Sequence, residues 1–257
     1  MNTDAAAEGT RGDSVPHRSH LTTIPAPTSA TPLTIASGTL EAMKWLALVL
    51  MTLDHVNTYL FSQRMPLLFA LGRSAMPLFV FVLAYKLAQP HIVEHGALWR
   101  TARRLALYGA LACVPVIALG HVYGGWWPLN IMCTLLVATM VIGLIEQGSP
   151  QRSTAAVAIF VLGGAVVEYW WFALSLAIAC WRYCQHPNVP RLTALTSCLT
   201  SLWLLNQNPW ALTALPLILA APYVNLSVPR CPRLFYIYYP AHLVVLFLMQ
   251  AKGLTAW

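Results

Sequence analysis

Between residues 43 and 250 the chain consists of apolar blocks separated by short polar breaks, none of them long enough to fold by itself. A run of about 20 apolar residues spans a bilayer as a helix, and only helices or closed barrels satisfy their backbone in hydrocarbon. The charged fraction agrees: 9% of residues are Asp, Glu, Lys or Arg, against about 25% in soluble domains. A soluble globule is thereby excluded, as is a separate soluble catalytic domain. The 257 residues leave room for up to about nine or ten crossings. The expected fold is an all-α, polytopic transmembrane bundle with helices at 43–61, 66–88, 102–120, 129–146, 154–168, 170–184, 193–206, 210–224 and 234–250. Eight to ten crossings fit, since only Glu168 to Trp171 part the segments between Ala155 and Tyr183, where a re-entrant hairpin would serve as well.

Residues 1–40 differ in kind: Pro16, Pro25, Pro27 and Pro32 interrupt a stretch rich in Ala, Ser and Thr, so a disordered tail is expected ahead of a membrane domain over 41–257. The net charge of +7 reads as topology rather than as a nucleic-acid footprint. With the tail in the cytoplasm, the inner breaks hold most of the Lys and Arg residues and the outer ones only Arg64 and Lys252, as the positive-inside rule requires. Trp126, Trp127, Trp170, Trp171 and Trp210 then fall at the outer boundary, where aromatic belts lie. The scattered cysteines show neither a zinc spacing nor a disulfide framework, and no metal is expected.

Ionisable groups inside apolar helices are costly unless paired or set against a wet cavity, so they mark where chemistry is to be sought. Asp54 and His55 interrupt the first block, Arg73 the second, and His242 lies in the last. Counted at 1.5 Å per residue, Asp54, Arg73 and His242 share a depth about 10–12 Å below the outer helix ends. Asp54 and Arg73 are a candidate ion pair, and Asn57 returns to the Asp54 face. Glu168 sits at an outer boundary, where a solvated loop acid is the simpler reading.

The segment Met43-Lys44-Trp45 through Met51-Thr52-Leu53-Asp54-His55, followed by Leu71-Gly72-Arg73-Ser74-Ala75-Met76-Pro77-Leu78-Phe79, resembles the signature of the TraX family. Leu129-Asn130-Ile131 and Tyr239-Pro240-Ala241-His242-Leu243 are similar to that family's later polar landmarks, so the resemblance spans about residues 41–250.

The resemblance implies acetyl transfer from acetyl-CoA to the N-terminal amine of a conjugative pilin subunit, in the bacterial inner membrane. It also implies roles. His55 would be general base or transient acyl carrier, Asp54 would orient or charge it, and Arg73 would stabilise an oxyanion or a donor phosphate. His242, Tyr239, Asn57, Asn130 and Glu168 are candidates for the acceptor side, and Lys44, Arg103, Arg104 and Arg233 for the coenzyme phosphates. An amine attacks a thioester only as the free base, and a histidine suits removal of its proton. Two other classes stay open: a non-catalytic pilin assembly factor, which needs no such polar set, and a proton-coupled transporter, which would usually show inverted repeats that are not visible here.

Overall fold

The computed structural model describes residues 31–120 and 122–254. Helices α1 (Ser37–Tyr59), α2 (Pro66–Gly72), α3 (Ala75–Leu87), α4 (Ala97–Leu119), α5 (Ile131–Glu146) and α6 (Pro150–Val166) are followed by α7 (Trp170–Gln185), α8 (Val189–Ser201), α9 (Trp203–Asn206), α10 (Ala214–Ala220) and α11 (Leu234–Ala251). Short 3₁₀ turns, Trp210–Thr213 and Ala221–Tyr223, flank α10. With α2 and α3, α8 and α9, and α10 and its turns each taken as one unit, the described residues form nine helical segments. They contain no strand, only two isolated bridges.

The segments run alternately up and down. At the end where α1 begins, Leu33 N–H donates to the Cys184 carbonyl (2.9 Å), Cys231 N–H donates to Glu41 (3.0 Å) and Gln185 donates to Glu146 (3.1 Å). At the opposite, distal end, Leu129 N–H donates to the Val166 carbonyl (2.8 Å) and the Trp127 indole to the Ala165 carbonyl (2.9 Å). Trp127 and Trp170 stack there at 5.9 Å, so part of the expected aromatic group is gathered at one end.

Helix α3 is the centre of the bundle. Its buried residues run through Ala75–Leu78, Val80–Tyr85 and Leu87, with Leu78, Phe81 and Ala84 fully enclosed. A helix apolar all round belongs inside. The peripheral helices show the reverse: Val114 of α4 and Leu162 of α6 are each 71% exposed, in company with Leu107, Leu111 and Val157. Such apolar outer faces suit hydrocarbon rather than water. Three helical stretches, Pro66–Leu87, Ala97–Leu119 and Leu234–Ala251, are long and apolar enough to cross a membrane.

Several boundaries differ from expectation for local reasons. Helices α6 and α8 begin four residues early, at Pro150 and Val189, because the Ser149 and Asn188 side chains accept N–H bonds from Arg152 and Arg191 and so cap the first turns. The arginines expected in the breaks therefore lie inside helices. The region 155–183 is not a short re-entrant hairpin: α6 and α7 have 17 and 16 residues, about 25 Å each, and reach from one end of the bundle to the other. The second expected helix is interrupted at Arg73–Ser74, between α2 and α3.

Most of the expected tail lies outside the described residues, but its last part is ordered. Ile35 is buried, its N–H donates to the Tyr85 hydroxyl (3.0 Å), and α1 begins at Ser37 rather than Met43.

Candidate functional site

Two polar pairs meet in the distal half of the bundle. Arg73 Nη2 donates to Asp54 Oδ2 at 2.5 Å, and His55 Nδ1 lies 2.7 Å from His242 Nε2 with the rings nearly parallel. The shared depth read from the sequence is thus a real juxtaposition of α1, the α2–α3 break and α11. The break supplies the reach. Gly72 lies so close to Asp54 that a Cβ there would overlap its side chain, which lets the next residue turn its guanidinium onto the carboxylate. Phe69 covers that guanidinium at 4.5 Å.

Asp54 does not orient His55, contrary to the expected role: its contact is Arg73, since adjacent helical residues diverge by about 100°. His242 takes that place. His242 Nδ1 is 3.0 Å from the Tyr238 carbonyl, which can only accept, so in the neutral ring this nitrogen carries the hydrogen and Nε2 the lone pair. His55 Nδ1 then donates to His242 Nε2, and the lone pair of His55 sits on its own Nε2. Tyr238 holds the relay further. Its ring stacks on His242 at 5.2 Å, and its hydroxyl donates to Thr52 (2.9 Å), whose own hydrogen goes to the Leu48 carbonyl (2.8 Å).

Glu168 is not a solvated loop acid. Its carbonyl accepts from Thr134 (2.9 Å) and its N–H donates to the Leu129 carbonyl (2.8 Å), which clamps the connection between α6 and α7. Tyr169 and Trp170 follow with φ of 60° and 48°, a conformation costly for aromatic residues and commonest at functional sites. The Glu168 carboxyl accepts from the Ile131 N–H and lies within electrostatic reach of Arg73 and Asp54. Burial pushes it up to about 7, Asp54 adding to the shift and Arg73 opposing it.

The remaining candidates divide. Tyr239 is buried beside His55 and His242, with ring centroids at 6.3 and 5.5 Å. Asn57 accepts from the Met65 N–H (3.0 Å) and so holds the turn after α1, and Asn130 caps α5 while donating to the Gly109 carbonyl (2.9 Å). Both act as braces. Lys44 and Arg104 line a slot of about 180 Å³ between α1, α3, α4, α5 and α11, together with Lys86, which the sequence reading missed. Arg103, about 100° round α4 from Arg104, faces a separate groove with Trp99 and Leu136. Arg233 precedes α11 and does not line the slot, although Pro232 and Phe235 do. Nothing in its spacing distinguished Lys86 from a residue serving topology alone.

The slot runs from that cationic mouth to Met51, Ile131 and Tyr239. His55 and His242 lie one helical turn beyond its end, four residues after Met51 and three after Tyr239, about 5 Å along either helix.

Fold and centre together define a protein that is all-helical among the described residues, with membrane-length apolar helices and a buried polar core joining α1, the α2–α3 break and α11. The model of the TraX protein family matches residues 39–250, and the chain belongs to that family. It is similar to Protein TraX of Escherichia coli, 28% identical over 221 residues that cover 81% of this chain and 86% of that one. A second Protein TraX, from Escherichia coli strain K12, is 31% identical over 130 residues, 49% of this chain and 48% of that one. No solved structure matches.

Proposed function

We propose that the protein is a membrane-embedded N-acetyltransferase that moves an acetyl group from acetyl-CoA to the N-terminal amine of a conjugative pilin subunit in the bacterial inner membrane, with its N-terminus in the cytoplasm. The observation that carries this reading is the slot: Lys44, Lys86 and Arg104 converge at its mouth, and its blind end stops one turn short of His55. A cationic mouth suits the phosphates of a coenzyme. A narrow, largely apolar slot suits an extended thioester arm.

Acetyl-CoA supplies the activated acyl group. His55 Nε2 takes the proton from the acceptor ammonium, and the free amine attacks the thioester carbonyl. The resulting imidazolium is held by donation from Nδ1 to His242 Nε2. Arg73 Nε is buried without a protein partner and is the available donor for the oxyanion. Collapse of the intermediate expels the coenzyme thiolate, which takes one proton from His55; the second proton still on the acylated nitrogen then passes to the freed His55 Nε2 and on to solvent, leaving an amide, a free thiol and one released proton.

Purified protein incubated with labelled acetyl-CoA and membrane-borne pilin, with mass analysis of the pilin N-terminus, tests the reading. Acetylated pilin is expected. Pilin bound but never modified would favour an assembly factor, and proton-driven uptake of a small molecule into vesicles would favour a transporter.

Two further results follow. Lys86→Ala and Arg104→Ala should each raise the KM for acetyl-CoA about tenfold, the scale of one charge-assisted hydrogen bond, while Arg103→Ala leaves it unchanged. Steady-state kinetics with acetyl-CoA varied at fixed acceptor reads this. Cysteine-accessibility tagging should label the Arg100–Arg104 stretch from the cytoplasm and Gly124–Trp127 from outside, because the Lys and Arg residues concentrate at the end where α1 begins. Reversed labelling would overturn the orientation.

A further inference from the structure

Helices α4 and α5 approach closely at two places, about 15 Å apart along their axes. A Cβ on Gly143 would overlap Leu98 near the end where α1 begins, and a Cβ on Gly109 would crowd Met132 and Cys133 at 3.3 Å further along. Between these contacts the two helices leave a groove of about 370 Å³ on the side turned away from the slot. The separation follows from register. Thr101, Arg104 and Leu105 line the slot, whereas Ala102, Arg103 and Ala106 line the groove, since neighbouring helical residues diverge by about 100°.

The groove passes from charge to hydrocarbon. At its mouth Arg100 and Arg103, three residues apart on α4, stand beside Trp99, which is 66% exposed. Its floor is Ala102 and Ala106 of α4 against Leu136 and Met140 of α5. A tryptophan at the end of a membrane helix lies at headgroup level, so lipid phosphates are beside the two guanidiniums and acyl chains run the way the floor runs. Neither arginine has a carboxylate partner among the described residues. Glu41, Asp54 and Glu94 pair with Lys44, Arg73 and His91, Glu146 accepts from Gln185, and Glu168 lies at the other end of the bundle. Arg100 Nη1 donates to the His95 carbonyl (2.8 Å), and Arg103 has no hydrogen bond among the described residues. A second groove at this end, lined by Arg182 and Arg191, differs: Arg191 Nη1 is spent on the Arg182 and His186 carbonyls. The positive-inside rule accounts for arginines at this end, but not for two unneutralised ones above an apolar groove.

We propose that this groove holds an anionic phospholipid, with its phosphodiester on Arg100 and Arg103 and one acyl chain along the floor. Guanidinium groups present paired donors that phosphate oxygens accept. Their combined charge favours a lipid of net negative charge over a zwitterionic one, whose own cation they repel. The inference rests on the membrane placement proposed above and not on acetyl transfer.

The test is native mass spectrometry of the full chain, released from detergent that contains equal amounts of phosphatidylglycerol and phosphatidylcholine with identical acyl chains. The unaltered protein should retain phosphatidylglycerol about tenfold over phosphatidylcholine, the scale of one charge-assisted hydrogen bond. Arg103→Gln should remove most of that preference, whereas Arg152→Gln, which takes a charge from the same end of the bundle outside the groove, should leave it unchanged. Ala106→Phe keeps both arginines but fills the floor, and should bring phosphatidylglycerol down to the level of phosphatidylcholine. Equal retention of the two lipids by the unaltered protein, or retention of neither, would overturn the proposal. So would an equal loss with Arg152→Gln, which would make the preference a diffuse effect of charge, or an unchanged preference in a folded Ala106→Phe protein. Displacement of the lipid by inorganic phosphate would give the arginines to a free anion, and a dimer mass that disappears with Arg103→Gln would give this face to a second copy of the chain; either result overturns the lipid site. The pilin assay reads acetyl transfer separately, so neither failure implies the other.

Discussion

His55→Ala should lower acetyl transfer by about 10²–10⁴, the range for loss of a general base, while the protein still inserts and remains monodisperse. The expectation comes from the tautomers. The Tyr238 carbonyl fixes the hydrogen of His242 on Nδ1, His242 Nε2 fixes that of His55 on Nδ1, and the lone pair of His55 is left on Nε2. His242 touches the base and not the reacting atoms, so His242→Ala should lose less. Because both rings are also packing, each variant must show unchanged melting in detergent. A larger loss for His55→Ala, with an acetylated protein trapped on brief exposure of the unaltered chain to labelled acetyl-CoA, would assign His55 as acyl carrier instead. A folded His55→Ala protein that acetylates at the parental rate would remove His55 from the reaction.

Asp54→Ala should produce the largest loss of stability, about 3–5 kcal/mol, because it leaves the Arg73 guanidinium buried without its counter-charge. Each side chain of that pair is only 14% exposed. Asp54→Asn should cost less, since it keeps the size and some hydrogen bonding. The decisive comparison is the double variant Asp54→Leu, Arg73→Met. Removal of both charges together should restore most of the stability, since a buried ion pair replaced by apolar groups of similar volume is often neutral, yet it should not restore acetyl transfer. Thermal unfolding in detergent, read beside the transfer assay, separates the two effects. Double and single variants equally destabilised would mean that the pair does not hold α1 to the α2–α3 break.

The centre was legible to different degrees from residue to residue. Asp54, His55, Arg73 and His242 stood out because an ionisable group in an apolar helix is rare and costly, and counting at helical rise brought three of them to one depth. The Asp54–Arg73 pair was legible as a candidate ion pair, and the structure has it. The His55–His242 pair was not: periodicity orders the faces of one helix but says nothing about which helix lies opposite, so Asp54 was also given His55 to orient, a place that His242 takes. Asn57 and Asn130 were read as acceptor-side residues because polar groups in apolar surroundings look functional. Asn57 Oδ1 is spent on the turn after α1, its Nδ2 staying buried without a partner, and Asn130 is spent on the cap of α5 and the Gly109 carbonyl.

The amino-acid sequence by itself determined that the chain is helical, that hydrocarbon suits its outer faces, and which few side chains cannot be indifferent to their surroundings. These are properties of single segments, set by backbone hydrogen bonding and by the cost of charge in an apolar medium. Tertiary structure alone decided that His242 rather than Asp54 orients His55, that Lys86 joins Lys44 and Arg104 at the slot mouth while Arg103 turns away, and that Glu168 is tied to Leu129 and Thr134. Each of these depends on contacts between residues far apart in the chain, and such contacts are fixed by how the helices pack.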